Sequence, residues 1–276
     1  DSHEQRAVGC MNLSTAAGRL GRSRYALHEL EFVRSTNHVS EKHLPALLDL
    51  LSWRCRVVGH SERAKEYAEE ALRAAERNGT PEYLGFCLSN LGGLACEERN
   101  YRQAIALFQR AEQAYEKAGL PEERARNLLN IGNAYLLQGQ VVAARRAADS
   151  AWHLAAISKQ TRICALVRIL LGDIAAADNR VERATECWRE AAELARSLRD
   201  KILLFKALFA SYRHMRQMSD REDVIRLERR LSRLAAWIPE DDDELREFRS
   251  LSSAGRNSNV SRVAASQQGH FIPRNM

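Results

Sequence analysis

The chain has 276 residues, 45% of them apolar and 28% charged, with a formal net charge of +6, a balance that fits a soluble globular protein and excludes a disordered or fibrous one. No run of 18 or more apolar residues occurs, which argues against a transmembrane helix. The six cysteines (Cys10, Cys55, Cys87, Cys96, Cys164 and Cys187) form no C-x-x-C pair and no zinc spacing. They read as small apolar fillers in a reducing, cytoplasmic compartment.

Only five prolines occur among abundant alanine and leucine, so helix is expected nearly throughout. The opening residues, DSHEQRAVGCMN, lack a charged-then-apolar leader, so no signal peptide is expected. Just six of the 42 basic residues are lysine, an Arg and Ala bias typical of GC-rich bacterial genes.

In chain order the apolar pattern gives helices in pairs, A then B. The first unit spans about residues 5–38 and carries Leu13-Ser14 on helix A and Ala26 on helix B. The second, 43–79, repeats this as Leu51-Ser52 and Ala64. The third, 80–119, has Leu91-Gly92 and Ala104, with helix A predicted from Pro81 to Glu97 and helix B from Tyr101 to Lys117. Thr80-Pro81-Glu82 reads as a helix start, a capping hydroxyl followed by proline at the first helical position. The fourth unit, 120–159, opens on Leu120-Pro121-Glu122 and carries Ile131-Gly132 and Ala144. The fifth, 160–199, has Leu171-Gly172 and Ala184. The sixth, 200–236, departs from the pattern with Ser211-Tyr212 and Val224. Gly79, Gly119 and Gly139 fall just past predicted helix ends, where a left-handed residue closes the last turn. Beyond them, Pro239 to Arg249 reads as an acidic capping helix within 237–250, and 251–276 as a flexible tail.

Register marks recurring at 40 residues, with one step of 38, imply a solenoid of stacked helix pairs. The glycine or serine after the leucine lets helices A and B of one unit cross closely, and the anchor alanine does so from the other side.

These residues carry a family resemblance. Leu-Gly on helix A is followed four positions past the leucine or isoleucine by Ala95, Tyr135 or Ala175. The anchor alanine on helix B is followed by Phe108 or Trp188 and by Ala111, Ala151 or Ala191. Together they resemble tetratricopeptide repeats over about residues 5–236, most strongly in units three to five. The 40-residue period is similar to the variant of kinesin light chains and several bacterial regulators. The resemblance implies an all-α, right-handed superhelical solenoid of about six repeats, with helices A lining a concave groove and helices B forming the convex back.

It further implies that residues one before and two after the leucine face the groove. These include Asn12, Asn90, Asn130 and Asn133, with Arg126 and Asn127 a turn earlier. Asparagine is a poor helix-interior residue, and its amide can both donate to and accept from a peptide backbone. The row either contacts a ligand or bridges neighbouring helices. Asp49, Trp53, Arg56, Asp173, Lys206 and Arg213 lie further along. Trp53 is either an exposed anchor or packed against the next unit. Lys206 and Arg213, with Arg126, are candidates to clamp a carboxylate. This departs from the two-lysine, two-asparagine clamp of chaperone cofactors.

No phosphate-binding loop, dinucleotide fingerprint or H-E-x-x-H occurs, so no catalytic residues, metal or cofactor are expected. Arg196 to Arg233 holds eleven Lys/Arg against five Asp/Glu, with no aromatic stacking platform or recognisable helix-turn-helix beside them. It reads as a solvated convex face more readily than as a nucleic-acid site, and no membrane partner is expected. The sequence thus points to a non-enzymatic scaffold holding a peptide or protein segment. The alternative is the sensor arm of a bacterial regulator whose effector domain lies outside this chain.

Overall fold

The computed structural model describes residues 2–252, apart from 20–21, 37, 219–220, 240–241 and 243. They form six antiparallel helix pairs: α1 (Ser2–Arg19) with α2 (Ser23–Ser35), α3 (Leu44–Val57) with α4 (Ser61–Asn78), and α5 (Pro81–Glu97) with α6 (Tyr101–Ala118). Then come α7 (Pro121–Leu137) with α8 (Val141–Ile157), α9 (Thr161–Ala177) with α10 (Val181–Ser197), and α11 (Lys201–Met218) with α12 (Arg221–Leu234). A 3-10 turn at Ala235–Trp237 and a helix over 244–252 follow. No strand occurs among the described residues. Of residues 251–276, read above as a tail, 251–252 belong to the last helix and 253–276 lie outside the described residues.

Each helix packs on its sequence neighbours, and the first helices of successive pairs touch one another, α3 with α5, α7 with α9 and α9 with α11. Burial accordingly runs along the stack as a series of small clusters, with no single centre. The anchor alanines Ala26, Ala64, Ala104, Ala144 and Ala184 are fully buried. Val224 in the sixth pair is only partly so.

The turns recur at one spacing, and all but the one at Gly79 share a pair of closing bonds. Left-handed residues stand at 20-residue intervals: Gly59, Gly79, Arg99, Gly119, Gly139, Lys159, Asn179 and Arg199. At Arg99 the Asn100 N–H donates to the carbonyl of Ala95 at 2.8 Å and the Arg99 N–H to that of Cys96 at 3.0 Å. This pair of bonds satisfies carbonyls at the helix C-terminus that have no intrahelical donor. Helix starts differ from expectation at Thr80, whose hydroxyl makes no capping bond; Pro81 alone marks that start. Asn100 does cap, accepting from the Gln103 N–H at 3.3 Å.

The glycine seam is real but is filled differently from expectation. A Cβ at Gly92 would lie 2.6 Å from the Phe108 ring, and one at Gly172 would lie 2.4 Å from the Trp188 indole. A large ring from the second helix thus occupies the space above each glycine. The fourth pair has Ala148 where the others have Phe108 and Trp188, and there Leu170 of α9 fills the gap over Gly132 at 2.7 Å.

Replacing Gly132 by leucine must displace Leu170, whose Cδ2 would lie 2.7 Å from the added carbon. The expected overpacking cost is about 1–3 kcal/mol. Because units couple to their neighbours, the thermal melt followed by circular dichroism broadens or splits. An unaltered melt contradicts the packing. The turns give a prediction of opposite sign. Lys159 sits at φ +56°, a conformation costing an L-residue about 1–2 kcal/mol. Lys159→Gly is therefore expected to raise the unfolding free energy measured in urea by up to about 1 kcal/mol once glycine's larger unfolded-state entropy is offset. Asn179→Gly gains less, since asparagine tolerates this region.

Candidate binding groove

The first helices of pairs two to four converge on a cavity of about 520 Å³. Trp53 and Arg56 come from α3, Phe86 and Asn90 from α5, and Arg126, Asn130 and Asn133 from α7. A second cavity of about 440 Å³ shares Asn133 and Leu137 with the first and continues onto α9 and α11. There Asp173, Lys206 and Arg213 meet Glu244 of the final helix. Of the sequence candidates, Asn90, Asn130, Asn133, Arg126, Trp53, Arg56, Lys206 and Arg213 all line one of these two hollows.

Asn127 does not. It is buried, and its Nδ2 donates to the Phe108 carbonyl at 2.7 Å, bracing α7 against α6. The expectation of ligand contact there is corrected: stepping by 40 from Asn127 reaches Leu47, Cys87, Val167 and Ala207, all buried. Asn12 is exposed on α1, outside both cavities.

The remaining asparagines divide between the two roles considered. Asn90 donates to Asp49 Oδ1 at 3.2 Å, so its amide bridges α5 to α3. Asn130, half-buried, and Asn133, exposed, have amides with no hydrogen-bond partner among the described residues. Trp53 is half-buried, with the Arg54 guanidinium 4.0 Å over its ring.

The carboxylate clamp is corrected as well. Lys206 Nζ lies 3.5 Å from Asp242 and 3.3 Å from Glu244. Arg213 lies 3.7 Å from Asp173 and 3.8 Å from Glu247, and Arg126 pairs with Glu123. All three basic groups are held by the chain's own carboxylates, two of them by the acidic stretch before and within helix 244–252.

Four residues the sequence reading passed over shape the first cavity. A Cβ on Gly85 would sit 2.5 Å from the Tyr115 ring, so this glycine admits the tyrosine between α5 and α6. Tyr115 then meets Phe86 edge-on, ring centres 5.5 Å apart, and Phe86 forms part of the wall. Phe86 stands 40 residues before Arg126, so the register alone could have found it. Gly93 occupies the column of Trp53 and Asn133, and Arg56 lies across it where a Cβ would be 2.4 Å away.

Two carboxyls in these hollows are perturbed in the same direction. Burial pushes Asp49 up to about 6 against the opposing Asn90 hydrogen bond and the Arg56 charge. Burial also pushes Asp173 up to about 6, opposed by Arg213 and the Trp188 indole. The groups facing Asp49 are Arg56 on its own helix, Asn90 and Cys87 on α5, and Tyr115 on α6.

Folded Asp49 keeps its proton to higher pH than the unfolded chain does. Its contribution to stability is therefore full below pH 4 and is lost as pH rises through about 6. Asp49→Asn is expected to stabilise the protein at pH 7 by on the order of 2 kcal/mol, with the gain vanishing near pH 4. Urea denaturation of both proteins at pH 4, 5, 6 and 7 checks this, and a gain independent of pH refutes it.

Comparison with known proteins follows the architecture. No family model and no curated relative matches the sequence. Among solved structures, a Rap protein complexed with Competence and Sporulation Factor has a TM-score of 0.70 at 13% identity, covering 92% of this chain and 74% of that one. A Signal Transduction ATPase with Numerous Domains, bearing a tetratricopeptide repeat sensor, from Pyrococcus horikoshii gives 0.68 at 16% identity over 89% of this chain. The chain spans only 38% of that protein's length. A putative kinesin light chain with nearly identical repeats from Podosopora anserina gives 0.57 at 17% identity, covering 72% of this chain and 99% of that one. The helix pairs, their seams and these neighbours together give the chain a tetratricopeptide-repeat fold.

Proposed function

We propose that the chain is a non-enzymatic interaction module that holds an extended peptide or partner segment along the groove formed by α3, α5, α7, α9 and α11. The observation that carries this reading is the pair of unpartnered amides at Asn130 and Asn133, set in a hollow walled by Trp53 and Phe86. Amides grip a peptide backbone through both a donor and an acceptor, and aromatic walls bury side chains of varied shape. Such a surface holds a segment without chemistry being done on it.

A second reading is favoured by two of the structural neighbours. One was solved with Competence and Sporulation Factor, and in another a tetratricopeptide repeat sensor is part of a signalling ATPase of which this chain matches 38%. On that reading the groove senses a signalling peptide and reports to a DNA-binding or ATPase domain elsewhere in the protein. Finding a helix-turn-helix or phosphate-binding loop in the remainder of the gene supports it, and a gene with neither counts against it.

The groove itself is tested by a paired measurement on Asn130→Ala: thermal stability of the free protein, and affinity for a partner isolated by pulldown from the source lysate. If Asn130 binds, removing its amide leaves a peptide group unpaired, weakening affinity by about 1–3 kcal/mol. Stability is expected to hold or rise, because alanine is the better helix former. Lost stability with unaltered affinity overturns the reading and makes Asn130 a brace like Asn90.

A further inference from the structure

One carboxylate in the first cavity is unlike the other charges of the groove. Asp49 Oδ1 accepts from Asn90 at 3.2 Å, and its Oδ2 has no hydrogen-bond partner among the described residues. No basic group among them lies within ion-pair distance of it. The nearby cations are already committed, Arg56 to Glu97 at 3.5 Å and Arg126 to Glu123. Two carboxylates and two guanidiniums line this cavity, and both guanidiniums pair with a carboxylate other than Asp49. In the second cavity Lys206 and Arg213 are likewise taken up by carboxylates, Asp173, Asp242, Glu244 and Glu247. Of the two carboxylates lining the first cavity, Glu123 is paired and Asp49 is not.

The walls beside Asp49 suit a long cationic side chain. Trp53, Phe86 and the Phe86-supporting Tyr115 line the same hollow. Aromatic faces attract ammonium and guanidinium groups, and they cover the methylene stem that such groups carry. Gly93 leaves the middle of the hollow without a side chain.

We propose that the segment held by the groove carries a lysine or arginine whose head group pairs with Asp49 between Trp53 and Phe86. The proposal rests on the groove reading above and adds a register to it. The cation fixes one point of the segment at α3 and α5, and the open amides of Asn130 and Asn133 meet its backbone on the next first helix, α7. Burial of Asp49 disfavours its charged form, so an arriving cation supplies the compensation that the protein withholds.

The test uses an array of terminally blocked random heptapeptides probed with the full chain at pH 7.5. The bound set is expected to be enriched in Lys and Arg and depleted in Asp and Glu. A representative binder should weaken about tenfold when its lysine is acetylated or replaced by norleucine. Asp49→Asn should reduce that difference to less than about twofold, the signature of a lost ion pair. Asp223→Asn, exposed on α12 and remote from the groove, should leave it intact. If Asp49→Asn fails to fold, acetylation of the peptide against the wild-type chain still decides. Binders enriched in acidic residues, or a lysine preference that survives in Asp49→Asn, overturn the cation proposal while leaving the groove reading standing. Equal binding by blocked free lysine also overturns it, because no peptide register is then being read. Absence of binding by any peptide overturns both.

Discussion

A left-handed backbone position every 20 residues, from Gly59 to Arg199, is the constraint on which the rest of the solenoid depends. It ends the helices at regular intervals, and the first helices of pairs three to five all run for 17 residues. Equal lengths keep successive helices in phase, and residues 40 apart then share a face. Without that phase, Trp53, Gly93, Asn133, Asp173 and Arg213 would not fall in one column and there would be no groove to describe. At Arg99, Lys159 and Arg199 the chain adopts this conformation without glycine. The paired carbonyl bonds of each turn and the packing of both flanking helices outweigh a local penalty of about 1–2 kcal/mol.

Periodicity made the fold legible, because small residues at fixed intervals leave little choice of how two helices cross. The columns of the groove were legible for the same reason. Asn127 was misread because it was placed by counting one helical turn back from Asn130, when the repeat register put it in line with Leu47, Cys87, Val167 and Ala207. The partners of Lys206 and Arg213 were not legible at all. Asp242, Glu244 and Glu247 lie after the last repeat, and no period relates them to the residues they meet. A repeat predicts contacts between equivalent positions and says nothing of a segment that occurs once. Asn90 shows a third kind of limit, since whether its amide bridges Asp49 or faces an open hollow turns on a few tenths of an ångström.

The two ends of the groove are built on different physics. At the α11 end, Phe248 meets Phe205, Phe209 and Tyr212 edge-on at 5.7–6.1 Å, and Leu245 is fully buried beside them. Helix 244–252 thereby covers the apolar face that a last repeat would otherwise expose, the usual requirement at the end of such an array. Its acidic residues bring the carboxylates that neutralise Lys206 and Arg213. That end is a completed interface, with hydrophobic burial and ion pairs already satisfied internally.

At the α3 to α7 end the same resources are left open. Gly85 and Gly93 give up side chains so that Tyr115 can support Phe86 and Arg56 can lie flat. Asn130 and Asn133 keep amides without partners, and Asp49 is desolvated without an ion pair. Two of these cost stability: glycine in a helix interior about 1 kcal/mol, and a buried carboxylate more. Consistency between local preference and global fold holds through the seams, gives way at the left-handed turns built without glycine, and gives way again in this hollow. A fold selected only for stability would have filled it with the leucines and alanines used elsewhere, and the departures are what the proposed binding groove accounts for.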